Sequence, residues 1–395
     1  MKKTTLFPGE ETVGRYGLQA DPGALLEDFL TLVQMDSPSG KEGEVAAWCR
    51  EKLEELGIRC VTDRTGELLG GETGNLHGFL PGTKGGPSLL LSAHMDTVSE
   101  AAGVRPLVEK GCIRSDGSTP LGADDKSGIV VILHALRLLL HRPGPRPDLH
   151  ILFTVQEETG LKGARAAEFP KRKPAGALVL DGGSVDRLIH KAPAKNSFQF
   201  HFRGKEAHLT REPEFGLNAV EMAAQAVAAM PLGRIDALTT ANVSSIRSSG
   251  GAGKVPVSCV VEGEVSSLEK KTLERVTHDL YKAAMAAIQG RRVVLGGRTW
   301  KPGLEARIEP LHPALDLPPS HPLILAVKEA ALSLGRGVQL YAASGGCDAN
   351  VFFARGIPSL VLGTGMALPH TSQENIRLED MVRATQLLAR VVQVL

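Results

Sequence analysis

The chain has 395 residues, of which 42% are hydrophobic and 23% are charged, as in soluble globular proteins; these proportions exclude a disordered or low-complexity scaffold. Lys and Arg total 45 against 44 Asp and Glu, so a net charge of +1 provides no field that attracts nucleic acid or anionic lipid. Aromatic residues make up 4%, too few for the stacking surfaces of single-strand binders. We expect neither a nucleic-acid nor a membrane partner, and the length favours two domains or one elaborated domain.

The cysteines and the apolar segments indicate the compartment. Five cysteines are scattered along the chain without a CxxC pair, which favours a reducing environment. Residues 1–17 lack the apolar stretch of an export signal. The most apolar segment, residues 128–140, is shorter than the roughly 20 residues that span a bilayer. We therefore expect a cytoplasmic protein.

The first half of the chain has the pattern of an α/β domain. Residues 21–56 predict two helices around a polar SGKEG break. The segment 126–140 is apolar nearly all round, which predicts a helix packed deeply against a sheet. Short apolar runs bounded by glycine or polar residues are typical of buried strands, and they occur at 87–94, 150–155, 177–180 and 357–362.

An insert with a different texture begins near residue 191. Strict alternation at 197–203 and 259–265 predicts half-buried strands, and helical patterns follow them at 218–230 and 268–289. The α/β pattern then resumes with a helix at 321–334. We therefore predict a discontinuous domain, residues 1–190 and 313–395, interrupted by an α+β domain over residues 191–312.

Acids and imidazoles follow the predicted strands at the points where the strands end. In an open α/β sheet, ligands bind beyond the carboxyl ends of the strands. Asp124 and Asp125 join this edge at the start of the apolar helix, and so many carboxylates without neutralising Lys or Arg need cations. The strand-end residues are His94, Asp96, Glu157, Glu158, Asp181 and His370.

Imidazole together with carboxylate favours zinc, cobalt or manganese over magnesium or calcium. Six to eight candidate groups exceed one tetrahedral site, so the pattern predicts two ions about 3.5–4 Å apart that share a carboxylate and a water. His94 and Asp96 face the same way along an extended chain, so Asp96 is expected to orient the imidazole. The adjacent Glu157 and Glu158 project oppositely, so one binds metal while the other stays free as the general base.

Seven strings carry a family resemblance: LLLSAHMDTV, LGADDKSGIVVILHAL, ILFTVQEETGLKGA, LVLDGG, GKEAH, SGGCDANVFFARGIPSLVLGTG and PHTSQE. In this order, and over nearly the whole chain after residue 21, they resemble the two-metal peptidase family that includes peptidase T, carboxypeptidase G and the N-acyl-amino-acid deacylases. The resemblance implies a zinc-peptidase-like catalytic domain, with a central mixed sheet flanked by helices, and an inserted α+β lid and dimerisation domain.

The resemblance also implies the ligand sets. One zinc is held by His94, Asp124 and Asp181, and the other by Asp124, Glu158 and His370, with Asp124 as the bridge. An Asp at position 181 is more similar to the peptidase T and aminopeptidase side of the family.

Two further roles follow from the same comparison of motifs. Asp96 becomes the residue behind His94, and Glu157 becomes the general base, in agreement with the argument from strand geometry. Asp125 could be a spare ligand, but because its neighbour Asp124 already fills the bridging role, we expect Asp125 to shape the backbone at the turn.

The insert departs from the family pattern. His208 lies where relatives have a histidine that stabilises the oxyanion in a neighbouring subunit, but Leu209 and Thr210 replace the usual small residue and glycine. Ser266 replaces an arginine often assigned to hold a substrate carboxylate, and residues 251–256 lack the usual asparagine. We expect a homodimer through this domain, because its two alternating strands need an edge partner.

Three functions remain open. The first is a peptidase T-like aminopeptidase that cleaves di- and tripeptides with a metal-bridging water activated by Glu157. The second is a deacylase of N-acyl amino acids, or a dipeptidase, whose substrate lacks the carboxylate that the missing arginine would hold. The third is a non-catalytic metal- or ligand-binding protein that has retained the fold.

Overall fold

The computed structural model describes residues 18–141, 144–170 and 172–395; the interpretation of residues 1–17 as free of an export signal lies outside them. Two compact units make up the described chain. The first comprises the residues up to Lys191, Leu315–Ala343 and Cys347–Leu395. The second comprises Ala192–Ala314 and Ser344–Gly346. The second unit thus interrupts the first along the sequence.

The first unit is built on a mixed sheet. Elements are numbered along the whole chain. The strands of this unit are β1 (Arg59–Thr62), β2 (Leu76–Leu80), β3 (Leu89–His94), β4 (Pro106–Glu109), β5 (Cys112–Ser115), β6 (Leu149–Thr154), β7 (Gly176–Gly182), β8 (Arg187–Ala192), β16 (Leu315–Asp316), β17 (Gln339–Ala342), β18 (Ser359–Gly363) and β19 (Asn375–Arg377). Among the described residues the large sheet has the order β1-β2-β6-β3-β7-β18-β8-β16, with β17 beside β8, while β19, β5 and β4 form a small separate sheet.

Four neighbouring strands at the centre of this sheet run the same way. β3 pairs in parallel with both β6 and β7, and β7 pairs in parallel with β18. Every residue of β3 and β18 is buried, as expected for parallel strands covered on both faces. Their carboxyl ends therefore meet at one edge.

Helices flank this sheet. α4 packs on β3 and β7, and α9 packs on β7 and β18. The helices of the first unit are α1 (Pro22–Val33), α2 (Gly43–Glu55), α3 (Thr65–Leu69), α4 (Ala123–His141), α5 (Lys162–Ala166), α8 (Pro322–Ser333), α9 (Asp348–Ala354) and α10 (Leu378–Val394). The predicted α/β architecture, a central mixed sheet with flanking helices, is confirmed.

The first turn of α4 is irregular where the sequence reads Ala-Asp-Asp-Lys. Asp124 (φ −82°, ψ 104°) and Asp125 (φ −119°, ψ 33°) are not helical, and regular helix follows. Gly128 permits this helix to approach the sheet, since a Cβ there would lie 2.6 Å from the carbonyl oxygen of Leu180 in β7. The turn places the two carboxylates at the edge where the parallel strands end.

The second unit is an antiparallel sheet with two helices. Its strands are β9 (Ala194–Arg203), β10 (Gly233–Asp236), β11 (Thr239–Ser248), β12 (Ser258–Ser267), β13 (Val293–Leu295), β14 (Arg298–Trp300) and β15 (Gly303–His312), and its helices are α6 (Ala219–Ala229) and α7 (Lys270–Ile288). The main sheet has the order β10-β11-β12-β9-β15. Phe198, Phe200 and Phe202 alternate along β9 and are buried in the same cluster as the apolar faces of both helices.

Both strands that the alternation predicted in this unit lie inside the sheet. β12 lies between β11 and β9, and β9 lies between β12 and β15. The expectation that they need an edge partner from a second copy is therefore wrong. β11 and β15 were not predicted from the sequence. They are largely polar and exposed, so they lack the alternation of buried and exposed residues that indicates a half-buried strand.

The apolar helices of the first unit are core elements. Along α4 most residues from Ile129 to Leu139 are buried. Among the residues that the structure describes, there is no helix with the length and apolar character needed to cross a membrane.

Candidate metal centre

Three parallel strands deliver the first candidate residues to one edge. His94 is the last residue of β3, Asp181 is the penultimate residue of β7, and Glu157 and Glu158 follow the end of β6. The register pairs His94 with Thr154, the last residue of β6. The apolar strand sequences thus place their polar ends together, inside the first unit.

Asp124 lies between two imidazoles. Its Oδ1 is 3.1 Å from Nε2 of His94, and its Oδ2 is 3.2 Å from Nε2 of His370. Nε2 of His370 is also 2.9 Å from Oε1 of Glu158. A carboxylate with one oxygen beside each imidazole has the geometry of a bridge between two neighbouring cation sites.

The other nitrogen of His94 is also occupied. Nδ1 lies 2.8 Å from the backbone carbonyl oxygen of Asp96 and 3.5 Å from its Oδ1. Because a carbonyl only accepts, the neutral ring carries its proton on Nδ1 and leaves Nε2 as the free lone pair. That lone pair faces Asp124, as in a metal-ligating histidine.

The Asp96 side chain organises the segment after β6. It accepts hydrogen bonds from the backbone N–H groups of Glu157 (2.9 Å) and Glu158 (3.1 Å) and from the Ser39 hydroxyl (2.6 Å). The carboxylate is fully buried; burial opposes its ionisation, but His94, the Ser39 hydroxyl and the Glu157 N–H outweigh burial and lower its pKa. Asp96 therefore holds both glutamates as well as the histidine loop. The role of Ser39 was not predicted from the sequence.

Asp181 lies in a second group of possible ligands. Donor atoms of His94, Asp125 and Asp181 lie within 4.8 Å of one another, as do those of His94, Asp124 and Glu158. Asp125 also accepts hydrogen bonds from the backbone N–H groups of His94 and Gly128, both at 3.2 Å. Both Asp125 and His94 thus have a donor atom within 4.8 Å of one on Asp181, while the oxygens of Asp125 also accept from the backbone.

The electrostatics show an excess of negative charge. Burial, followed by repulsion from neighbouring carboxylates, raises the pKa of Asp181 well above its usual range. Hydrogen bonds to Asp124 and Glu158 raise the pKa of His370 to about 10. Burial would raise the pKa of Asp124, but hydrogen bonds from His370 and His94 outweigh it and lower the pKa. Without a cation, the histidines must hold protons to balance the acids.

Glu157 differs from its neighbour in its surroundings. Its carboxyl group is buried, and burial together with the charges of Asp181 and Asp348 raises its pKa well above the usual range, against the effect of His94. Glu158 instead pairs with His370. A carboxylate with a raised pKa beside a cation site is suited to accept and return a proton.

Two of the segments that carry these residues have a strained backbone. Gln156 (φ +52°), directly before Glu157, and His370 (φ +64°) are both in the left-handed region without being glycine. Such conformations cost about 1–3 kcal/mol each and persist only where the surroundings enforce them. Here they aim the side chains of Glu157 and His370.

The donor set fits a pair of divalent transition-metal ions. Two imidazoles and several carboxylates converge, and burial, followed by repulsion between the carboxylates, raises the pKa values of Asp125 and Asp181. This is the N and O chemistry of zinc, cobalt and manganese rather than of an all-oxygen calcium shell. Asp124, between the two histidines, is placed where a bridging carboxylate would be needed.

His208 lies in the second unit. It is exposed, and its Nδ1 accepts from the backbone N–H of Thr210 at 3.3 Å, with the Thr210 hydroxyl 3.2 Å away. A backbone N–H only donates, so the neutral ring carries its proton on Nε2. The contact with Thr210, a residue that departs from the family pattern, therefore leaves the Nε2–H of His208 as the hydrogen-bond donor of the ring.

The substituted arginine position is also described within this unit. Ser266 in β12 pairs directly with Lys195 in β9, so both side chains lie on the same face of the sheet. The Lys195 ammonium is 3.2 Å from Oε1 of Glu264. Lys195 thus provides a cation on the neighbouring strand, directly opposite the position where the family's arginine is missing.

The chain matches the family model described as peptidase family M20/M25/M40 over residues 90–394. It therefore belongs to that family and is a metal-dependent peptidase, a hydrolase of C–N bonds. The resemblance drawn from the sequence motifs is confirmed, and the alternative of a non-catalytic binding protein is not supported.

Three relatives show how closely the chain follows known proteins. The uncharacterized protein YqjE of Bacillus subtilis (strain 168) is 33% identical over 93% of this chain and 97% of its own length. The crystal structure of aminopeptidase PepT from Bacillus cereus has a TM-score of 0.83 and 31% identity, covering 95% of this chain and 99% of that one. A tripeptidase from Staphylococcus aureus has a TM-score of 0.84 and 27% identity, with the same coverage.

Proposed function

We propose that this protein is an aminopeptidase that removes the N-terminal residue from small peptides, chiefly tripeptides. The observation that carries the proposal is the position of Asp124, with one carboxylate oxygen beside the imidazole of His94 and the other beside that of His370. The names of the similar proteins from Bacillus cereus and Staphylococcus aureus, an aminopeptidase and a tripeptidase, support the substrate class.

The ligand sets follow the family pattern. We assign His94, Asp124 and Asp181 to one ion and Asp124, Glu158 and His370 to the other, with zinc as the first candidate and cobalt or manganese as substitutes. When bound, two such ions would polarise the scissile carbonyl and lower the pKa of a shared water.

Three residues act around the attacking water. Glu157 takes its proton as general base and returns it to the leaving amine, a role that its buried carboxyl group beside the cation sites can fill. Asp96 positions Glu157 through the backbone hydrogen bond at 2.9 Å. The family resemblance, rather than a strand that lacks a partner, supports a homodimer formed through the second unit. In that dimer His208 donates from Nε2 to the oxyanion of the tetrahedral intermediate in the partner subunit.

The alternative within the family is a deacylase of N-acyl amino acids or a dipeptidase, because Ser266 stands where the family pattern often has an arginine. The loss of that cation favours the alternative only for a substrate that lacks the carboxylate. Lys195 offers a cation on the same face of the sheet for a substrate that has one, as a tripeptide does. The free state of all five cysteines fits the proposed cytoplasmic location.

Blocked and free substrates separate these activities. Protein loaded with zinc, cobalt or manganese is incubated with trialanine, N-acetyl-trialanine, trialanine amide, dialanine and N-acetyl-alanine, and the products are identified by mass spectrometry. We expect release of the N-terminal alanine from trialanine and none from the N-acetylated peptide. Hydrolysis of N-acetyl-alanine without cleavage of trialanine would establish the deacylase instead.

A further inference from the structure

A buried glutamate outside the proposed ligand set contacts the backbone around Asp124. Glu374 is 1% exposed, and its Oε2 accepts from the N–H groups of Leu121 (2.8 Å) and Gly122 (2.9 Å). Its Oε1 accepts from the N–H of Asp124 at 3.0 Å. Hydrogen bonds to an ionised acceptor are about twice as strong as neutral ones.

The segment that donates these hydrogen bonds needs an external acceptor. Gly122 has φ +72°, and Asp124 is not helical although it stands at the start of α4. N–H groups at the beginning of a helix have no partner within the helix, so they must be satisfied by other groups. Glu374 supplies its two oxygens to Asp124, in the first turn of α4, and to Leu121 and Gly122, which directly precede the helix, and so fixes the path of the backbone into Asp124.

Glu374 also belongs to the segment that carries His370. The two residues are four apart, the Glu374 N–H donates to the carbonyl of Thr371 at 3.0 Å, and β19 follows directly and pairs with β5. The two segments that Glu374 joins thus supply side chains whose reactive atoms, Oδ2 of Asp124 and Nε2 of His370, lie 3.2 Å apart.

We propose that Glu374 is a positioning residue that fixes the spacing of Asp124 and His370 and thereby sets the affinity of the metal centre. The inference rests on the proposed role of these two residues as metal ligands. Glu374 acts through the backbone and does not itself contact substrate or metal. A glutamate that only stabilised the fold would alter the stability of the protein without a selective effect on metal affinity.

The test replaces one oxygen acceptor with a donor. Glu374→Gln keeps the size of the side chain, but its amide NH₂ must face a backbone N–H. Glu379→Gln is the matched control, because Glu379 is exposed, lies in the first turn of α10 and loses the same charge. Zinc dissociation constants are measured by competition with a chelator, and hydrogen exchange of residues 119–126 is measured in the metal-free proteins by mass spectrometry.

We expect Glu374→Gln to weaken zinc binding by about 10- to 100-fold, as is typical of residues that orient metal ligands, and to accelerate exchange at 121–124. Glu379→Gln should match the wild type in both. Zinc affinity within about threefold of the wild type would overturn the proposal, as would a loss of the same size in the control.

Two further outcomes are separable. If wild-type protein bound no zinc, the ligand assignment would fail, and an unchanged exchange rate in Glu374→Gln would then overturn the role of Glu374 as well. If Glu374→Gln did not fold, hydrogen exchange in the metal-free wild type would test the proposal instead. Slow exchange at 121–124 supports the hydrogen bonds to Glu374, and exchange as fast as in the exposed turn at residues 116–118 overturns them.

Discussion

The metal centre and the second unit differ in how firmly the chain holds their polar residues. In the metal centre, His94, Asp96 and Asp124 are each bonded to at least one other polar group of the site. In the second unit, His208 contacts only Thr210 among the side-chain hydrogen bonds described for it, and the open face of the sheet is polar and exposed. Metal ions require ligands that are held in a fixed geometry. We expect substrate recognition to tolerate more change, such as the serine at position 266 in place of the family's arginine.

The largest effect should come from the general base. Glu157→Gln keeps the shape of the side chain but cannot take a proton from water, so kcat on trialanine should fall by about 10²- to 10⁴-fold with both metals retained. Steady-state kinetics and metal analysis provide the measurement. The exposed Glu168→Gln is the control, and activity of Glu157→Gln within about tenfold of the wild type would contradict the assignment.

A smaller loss is expected at His208. Removing one hydrogen-bond donor from an oxyanion costs about 10²- to 10³-fold in kcat, so His208→Ala should fall in this range and keep its metal. The exposed His278→Ala on α7 should behave as the wild type.

The same variant tests whether His208 acts across a dimer. Hybrids of His208→Ala with Glu157→Gln would contain one site with both an intact base and an intact partner histidine. Activity should return to those hybrids. Verified heterodimers without recovered activity would show that His208 acts within its own subunit or not at all.

A half-buried carboxylate away from the metal centre, Asp63, extends the comparison to stability. Burial opposes the ionisation of Asp63, but hydrogen bonds from His77, Thr65 and Asn75 outweigh it and lower its pKa from 3.8 to about 2. Its contribution is therefore complete above pH 4 and declines as the pH falls towards 2. Asp63→Asn should lower the free energy of unfolding by about 1–3 kcal/mol at pH 7, and by less at pH 3.

Urea unfolding at the two pH values measures this difference. The matched variant in the second unit is Glu305→Gln, which disrupts an exposed ion pair with Arg203 and should leave stability unchanged. An equal loss in both variants, or a loss in Asp63→Asn that is independent of pH, would refute the contrast between the two regions.

The smallest effect concerns substrate recognition. Lys195→Met removes the cation beside Ser266, so KM for trialanine should rise about tenfold, which corresponds to about 1.4 kcal/mol, with little change in kcat. Trialanine amide, which lacks the carboxylate, should be unaffected. Lys271→Met on the exposed side of α7 is the control, and an equal KM increase for the amide would show that Lys195 does not read the substrate's carboxylate.

The sequence predicted the elements whose signals are local. β3, β7 and the middle of α4 are mostly apolar because they are buried, and such runs are visible in the chain itself. β11 and β15 were not predicted because their side chains are mostly polar or exposed, and β15 also pairs with a strand about 100 residues earlier. The helix α10 was likewise not predicted.

The same distinction applies to the site. Strand ends identified His94, Glu157 and Asp181, since a polar residue after a buried strand is a local pattern. Glu374 and Ser39 were missed because their importance lies in contacts with residues far away in the chain, Leu121 for the glutamate and Asp96 for the serine. The sequence contains those residues but no local sign of what they hold.

Metal content of the purified protein tests the central claim most directly. After loading with zinc and dialysis, the wild type and the exposed-site control Asp116→Ala should each retain about two ions per chain, while Asp124→Ala should lose both because the bridging carboxylate serves each ion. Two retained ions in Asp124→Ala, or less than one in the wild type, would contradict the assignment of Asp124 as the bridge of a two-metal centre.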